Sequence, residues 1–116
     1  MTMNGKERIL SALERKPVDR TPVWFMRQAG RHLPEYRKIA ADTSFWDRCQ
    51  DADMCSEITL QPIERYKKID AAIIFSDILT PLPSLGYSVE YGGGIRIGEF
   101  NLEEVDDWAD FSARKH

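Results

Sequence analysis

Residues 21–31 read TPVWFMRQAGR, a nearly unbroken apolar run that stops abruptly at Arg-Gln-Ala-Gly-Arg. Such a run fits a strand buried on both faces, as parallel sheets require. Pro22 suits only the first position of that strand, because it has no N–H to give to a ladder. A second run, AAIIF at 71–75, has the same character and ends at Ser76-Asp77. Buried strands separated by helical pattern indicate an α/β fold built from parallel βαβ units.

The intervening pattern is helical. Asn4 followed by Glu7 marks a reciprocally capped helix start. Ile9, Leu10 and Leu13 recur at helical spacing and predict an amphipathic helix over 5–15, ended by Pro17. After the break at Gln28-Ala29-Gly30, Pro34 opens a helix to about Ala41. Asp42, Thr43 and Ser44 punctuate, and a short helix carrying Phe45 and Trp46 follows. Asp51 caps a longer helix to about Arg65, with Met54, Ile58 and Ile63 facing inward and a kink expected at Pro62. Pro81 and Pro83 mark a loop. Residues 87–91 and 95–97 flank three glycines as a β-hairpin. Asn101 with Glu104 opens an acidic helix near 102–108, and 111–116 read as a frayed tail. Two core strands cannot cover both of their own faces. The chain therefore reads as the N-terminal part of a larger fold such as a (β/α)8 barrel, which takes about 250 residues. Residues 1–116 are expected to be one segment of a single domain, incomplete at this length.

Charge narrows the partners. The net charge is −3, which gives nucleic-acid binding no support. The first forty residues carry nine Lys/Arg against four Asp/Glu, and the remainder is acidic. A basic cluster on an acidic chain suits a small anionic ligand, although uneven surface charge is the plainer alternative. Cys49 and Cys55, six apart, match no zinc pattern and imply no disulfide; both are expected to be small core residues. There is no signal peptide at the start and no apolar run long enough for a membrane span, so a cytoplasmic location is expected.

Two constellations carry chemistry. Arg27 and Arg31 follow the first apolar strand, in the loop position where parallel α/β folds bind ligands. Guanidinium groups take carboxylates through paired, charge-assisted hydrogen bonds. Gly30 permits close backbone approach or a positive φ. The alternative is an ordinary turn with two solvated arginines. Asp77 ends the second strand, on the same rim if the strands are parallel neighbours; alone it reads equally as a helix cap. The other features are weaker. Gly92-Gly93-Gly94 lacks a following Lys-Ser/Thr and reads as a turn. His32 and His116 have no metal-ligand company, and His32 is expected to be loop packing or solvent-facing. Trp24 and Trp46 are expected in the core. No Ser-His-Asp or Cys-His arrangement is recoverable.

PVWFMRQAGRHLPEYR, residues 22–37, resembles the hallmark segment of the uroporphyrinogen decarboxylase family. EITLQPIERYKKIDAAIIFSDIL, residues 57–79, is similar to that family's second N-terminal block. The resemblance implies a TIM barrel that removes carbon dioxide from the four acetate side chains of uroporphyrinogen III. The product would be coproporphyrinogen III, an intermediate of porphyrin and haem biosynthesis. It implies a cytoplasmic homodimer with no metal and no organic cofactor. It implies substrate contacts at Arg27, Gln28, Ala29, Gly30 and Arg31, and a central catalytic carboxylate at Asp77.

This chain departs from the family pattern at His32, where Tyr is usual, and at Ala40, where some members carry Arg. GGGIRIG also replaces an expected Gly-Pro pattern. The family's later Tyr, Ser and His contacts lie in strands absent at this length, so the chain alone is expected to be inactive. Two other readings stand beside this one. One is a non-catalytic remnant that keeps an anion-binding rim. The other is a corrinoid-linked methyltransferase from the same barrel superfamily, with a His/Cys zinc site; the Arg-Gln-Ala-Gly-Arg string argues against it.

Overall fold

Side-chain caps or a first-turn proline start the helices of this protein. The computed structural model describes residues 2–91 and 93–98. Helix α1 spans Gly5–Leu13. Its first turn is closed by Asn4 and Glu7, each side chain accepting the other's backbone N–H, at 2.9 and 3.0 Å. It stops two residues short of the expected Arg15, which is left-handed at φ 58°. Helix α2 is Pro34–Asp42, with proline in the first turn where its missing N–H costs nothing. Helix α3, Phe45–Gln50, starts with a second reciprocal cap between Ser44 and Asp47. Helix α4, Ala52–Tyr66, begins where Met54 N–H donates to Asp51 Oδ1 at 2.7 Å. It ends at left-handed Lys67 and holds Pro62 buried within it.

The chain falls into two compact units, the first ending at Phe75 and the second beginning at Ser76. The core of the first is Ala29, Leu33, Tyr36, Ile58 and Phe75. Ile39, Phe45, Cys49, Met54 and Cys55 pack against its edge, so both cysteines are half-buried core neighbours, as expected. The rings of Tyr36 and Phe45 both lie 5.7 Å from that of Phe75. Helix α4 also satisfies the Phe75 backbone. Phe75 N–H donates to Thr59 Oγ1 at 2.9 Å, and Cys55 Sγ donates to the Phe75 carbonyl at 3.2 Å.

The two expected strands depart from the sequence reading. Residues 21–26 and 71–75 have no strand assignment. A main-chain bond runs from the N–H of Asp70, just before the second stretch, to the Val23 carbonyl of the first, at 2.8 Å. Over 71–75 burial alternates: Ala71, Ile73 and Phe75 are covered, while Ala72 and Ile74 are exposed. Trp24, Phe25 and Met26 are all exposed, so neither run is covered on both faces, and Trp24 is not in the core. The physical reason is that helices cover one side only. A lone strand pair needs further strands to form a stable ladder.

A partly buried ion network ties the starts of these two stretches to α1. Arg8, 5% exposed, donates from Nε and Nη2 to Asp19 at 2.6 and 2.8 Å and also pairs with Asp70. Arg20 grips both oxygens of Asp70 at 2.8 Å, and Val23 N–H donates to Asp70 Oδ2 at 2.8 Å. Burial alone would raise the Asp70 pKa; the Val23 N–H and the two arginines outweigh it and leave it lowered. The hydrogen bond from Arg8 holds Asp19 well below the usual carboxylate range.

The second unit opens with Ser76 and Asp77. Helix α5, Pro81–Ser84, is a single helical turn where a loop was expected, started by Pro81. The expected hairpin forms from β1, Val89–Tyr91, and β2, Ile95–Ile97, paired antiparallel with Glu90 opposite Arg96. Gly93 and Gly94 take φ of 63° and 133° in its turn, which only glycine adopts freely. The expected helix near 102–108 and the tail 111–116 lie outside the described residues.

Candidate functional site

The loop after residues 21–26 is held by its own core anchors. Met26 turns the chain with φ 50°. Ala29 and Leu33, 5% and 1% exposed, plug into the core on either side of a turn. That turn is closed by Leu33 N–H donating to the Gly30 carbonyl at 2.9 Å. Arg37 reaches back to the Arg31 carbonyl at 2.7 Å. The anchors leave Arg27 and Arg31 exposed and Gln28 half-buried.

Of the two uses the sequence left open for Gly30, a positive φ is not the one taken. A Cβ there would lie 3.5 Å from His32 Nδ1 and 3.8 Å from Arg27 Nη2, in ordinary contact. Two polar side chains therefore converge over its bare face.

Beside the loop lies a cleft of about 320 Å³, lined by Phe25, Arg27, His32, Pro62 and Tyr66. Phe25 and Tyr66 meet edge to face, with ring centroids 6.2 Å apart. Arg27 Nη2 lies 3.5 Å from His32 Nδ1. Arg31 is not part of this lining. Among the described residues, neither Arg27 nor Arg31 is in a salt bridge, whereas Arg8, Arg20 and Arg65 all are. An exposed guanidinium without an acid neighbour, beside apolar walls, can take a carboxylate by paired hydrogen bonds. Sequence reasoning missed Phe25, Pro62 and Tyr66 as lining residues. Their convergence depends on α4 packing back across some forty residues of chain, and no local pattern reports that.

Asp77 lies in the second unit. Its Oδ2 accepts the Tyr91 hydroxyl and, at 3.3 Å, the Leu79 N–H. Thr80 folds back onto the Asp77 carbonyl through Oγ1 at 2.8 Å, so the turn is rigidly closed. Tyr91 was also missed. It is contributed by the hairpin, and the only signal was an aromatic at the inner end of β1. A carboxylate fixed through one oxygen can offer the other to a ligand N–H.

Among the described residues, no group of three or more His, Cys, Asp or Glu is placed to hold a metal ion. No described helix is long and apolar enough to cross a membrane.

Comparison with known proteins adds the family. The family model described as uroporphyrinogen decarboxylase (URO-D) matches residues 4–114. A uroporphyrinogen decarboxylase of Tolumonas auensis is 52% identical over 95 residues, covering 81% of this chain and 26% of that protein. One from Myxococcus xanthus is 52% identical over 86 residues, covering 74% and 24% respectively. One from Thioalkalivibrio sulfidiphilus is 55% identical over 89 residues, covering 76% and 25%. The chain thus spans about a quarter of the length of the curated relatives it matches.

Proposed function

The chain belongs to the uroporphyrinogen decarboxylase family, and from that premise we propose that residues 1–116 form the N-terminal segment of one (β/α)8 barrel domain that decarboxylates uroporphyrinogen. The substrate would be uroporphyrinogen III and the product coproporphyrinogen III, with four acetate groups losing carbon dioxide. The whole enzyme would be a cytoplasmic homodimer. The observation that carries the reading is the family match, which runs through both the Arg27–Arg31 loop and Asp77. The exposure of the two arginines, and their lack of a salt bridge among the described residues, support it.

The chemistry is consistent with these residues. An octacarboxylate needs cations to hold it, and Arg27 and Arg31 grip its acid arms. Loss of carbon dioxide leaves an electron pair that needs a sink. A pyrrole protonated at carbon becomes that sink. Asp77 accepts pyrrole N–H groups of the same molecule and stabilises the positive charge as it develops. Because the pyrrole ring is neutral in the ground state, Asp77 helps the transition state more, and that difference accelerates the reaction. Gln28 and the backbone at Ala29 and Gly30 complete the contacts; the Ala29 methyl is spent in the core.

The test supplies the missing three quarters from a relative. The matched segment of the Tolumonas auensis protein is replaced by this chain, and coproporphyrinogen is followed by porphyrin fluorescence. Product is expected, and Asp77→Asn should reduce the rate about a hundredfold. No product from a folded chimera contradicts the proposal and favours a non-catalytic remnant.

A further inference from the structure

We propose that His32 is a positioning residue for Arg27, an inference that rests on the carboxylate-gripping role given to Arg27 above. His32 sits inside the turn closed by Leu33 and Gly30, between the core anchors Ala29 and Leu33. That turn folds its ring back over Gly30, where His32 Nδ1 and Arg27 Nη2 lie 3.5 and 3.8 Å from the position a Cβ would take, in ordinary contact. The result is Nδ1 of His32 at 3.5 Å from Nη2 of Arg27, both on the wall of the cleft formed with Phe25, Pro62 and Tyr66.

The chemistry of the pair fixes its direction. A guanidinium has donors only. The contact is therefore attractive only when Nδ1 is bare and the ring proton sits on Nε2. In that tautomer His32 takes one Arg27 N–H and leaves the others to face a ligand carboxylate. Among the described residues, no acidic side chain lines the cleft to compete for them. A flexible arginine loses rotamer freedom when it binds, and a partner that holds it beforehand removes part of that cost. The cleft, at about 320 Å³, is at the small end of ligand pockets and suits one acid arm rather than a whole macrocycle.

Two measurements on the 116-residue chain test this. The first is the tautomer of His32 by long-range ¹H–¹⁵N NMR at about pH 8, where an ordinary imidazole is neutral. The Nε2–H form is expected, and the Nδ1–H form would overturn the proposal. The second is titration with uroporphyrin as a stable probe. His32→Phe keeps the ring bulk without the acceptor and should weaken binding about five- to tenfold. His32→Asn places an amide oxygen near the Nδ1 position and should return affinity to within about twofold of wild type. Equal affinities for His32→Phe and wild type, or no rescue by His32→Asn, would overturn it. If the wild-type chain does not bind uroporphyrin at all, the decarboxylase-site reading falls, while the tautomer still decides the His32 contact. A variant that fails to fold leaves the decision to the wild-type tautomer.

Discussion

Two arginine-rich regions of the first unit are built in opposite ways. At the start of the extended stretches, Arg8 and Arg20 are locked onto Asp19 and Asp70 and supported by backbone groups of Met3, Val23 and Lys68. At the far end of residues 21–26, Arg27 and Arg31 form no salt bridge among the described residues and stand exposed. The sequence composition of the two regions is similar. Their physics is not. A guanidinium enclosed by acids spends its hydrogen bonds on the fold, and breaking such a buried pair is costly because it strands a charge. A guanidinium without acids spends little on the fold and keeps its donors for a ligand. The contrast marks one end as structural and supports the binding role proposed for the other.

That contrast can be broken most severely at Asp70. Asp70→Asn removes the negative charge and one of the two acceptor oxygens that Arg8, Arg20 and Val23 use. The thermal midpoint, followed by circular dichroism, should fall by about 10 °C or more. A midpoint within about 2 °C of wild type would show that the network is not structural. Gly5→Ala probes the same end by sterics. Its Cβ would lie 2.9 Å from the Asp70 carbonyl oxygen, which is backbone and cannot swing away. A cost of about 1–3 kcal/mol is expected from urea denaturation, even though alanine favours helices. Gly30→Ala, with a nearest contact of 3.5 Å, should cost at most about 0.5 kcal/mol. Equal costs at the two glycines would remove the steric distinction.

The acid response sharpens the same comparison. Asp19 and Asp70 are lowered, and the bidentate Arg65 pair holds Glu35 down to about 2. A carboxylate whose pKa is lower in the folded state stabilises the fold above its unfolded value. That contribution is lost as pH falls through the folded value. Stability should therefore be flat from about pH 8 to 5 and decline below about pH 4. In Asp70→Asn the decline should be shallower. A decline beginning above pH 5 would point to other groups.

The smallest effects on stability belong to exposed pairs and to the loop. Glu35→Gln breaks the half-exposed pair with Arg65 and should move the midpoint by no more than about 2 °C. Arg27→Gln should leave the midpoint equally unmoved while weakening uroporphyrin binding about tenfold or more. A large stability loss at Arg27 would place it with the structural arginines.

The features legible in the sequence were the local ones. Asn4 with Glu7 and Asp51 before α4 announce helix starts, because a cap is decided within four residues. The Gly-rich turn announced the hairpin for the same reason. The Ser44–Asp47 cap is equally local, but among the punctuating Asp42, Thr43 and Ser44 it read only as a break. The runs at 21–26 and 71–75 are apolar enough for buried strands, yet a strand exists only with its neighbours. Among the described residues they form no ladder, and several of their apolar side chains stay exposed. The ion network was invisible because Arg8 and Asp70 are 62 residues apart. The cleft was invisible because Pro62 and Tyr66 reach it from α4. For the site, Arg27, Arg31 and Asp77 could be named from their positions after apolar runs and from family resemblance. Tyr91 and His32 could not, since their roles depend on which atom each one faces.

One titration tests the central claim directly. Uroporphyrin is added to the ¹⁵N-labelled chain while backbone amides are followed by NMR. The account predicts that Arg27, Gly30, Arg31 and Asp77 shift together with one apparent affinity, while Arg8 and Asp70 stay still. Shifts confined to the Arg8–Asp70 end, or an Asp77 amide that never responds while the arginine loop does, would contradict it.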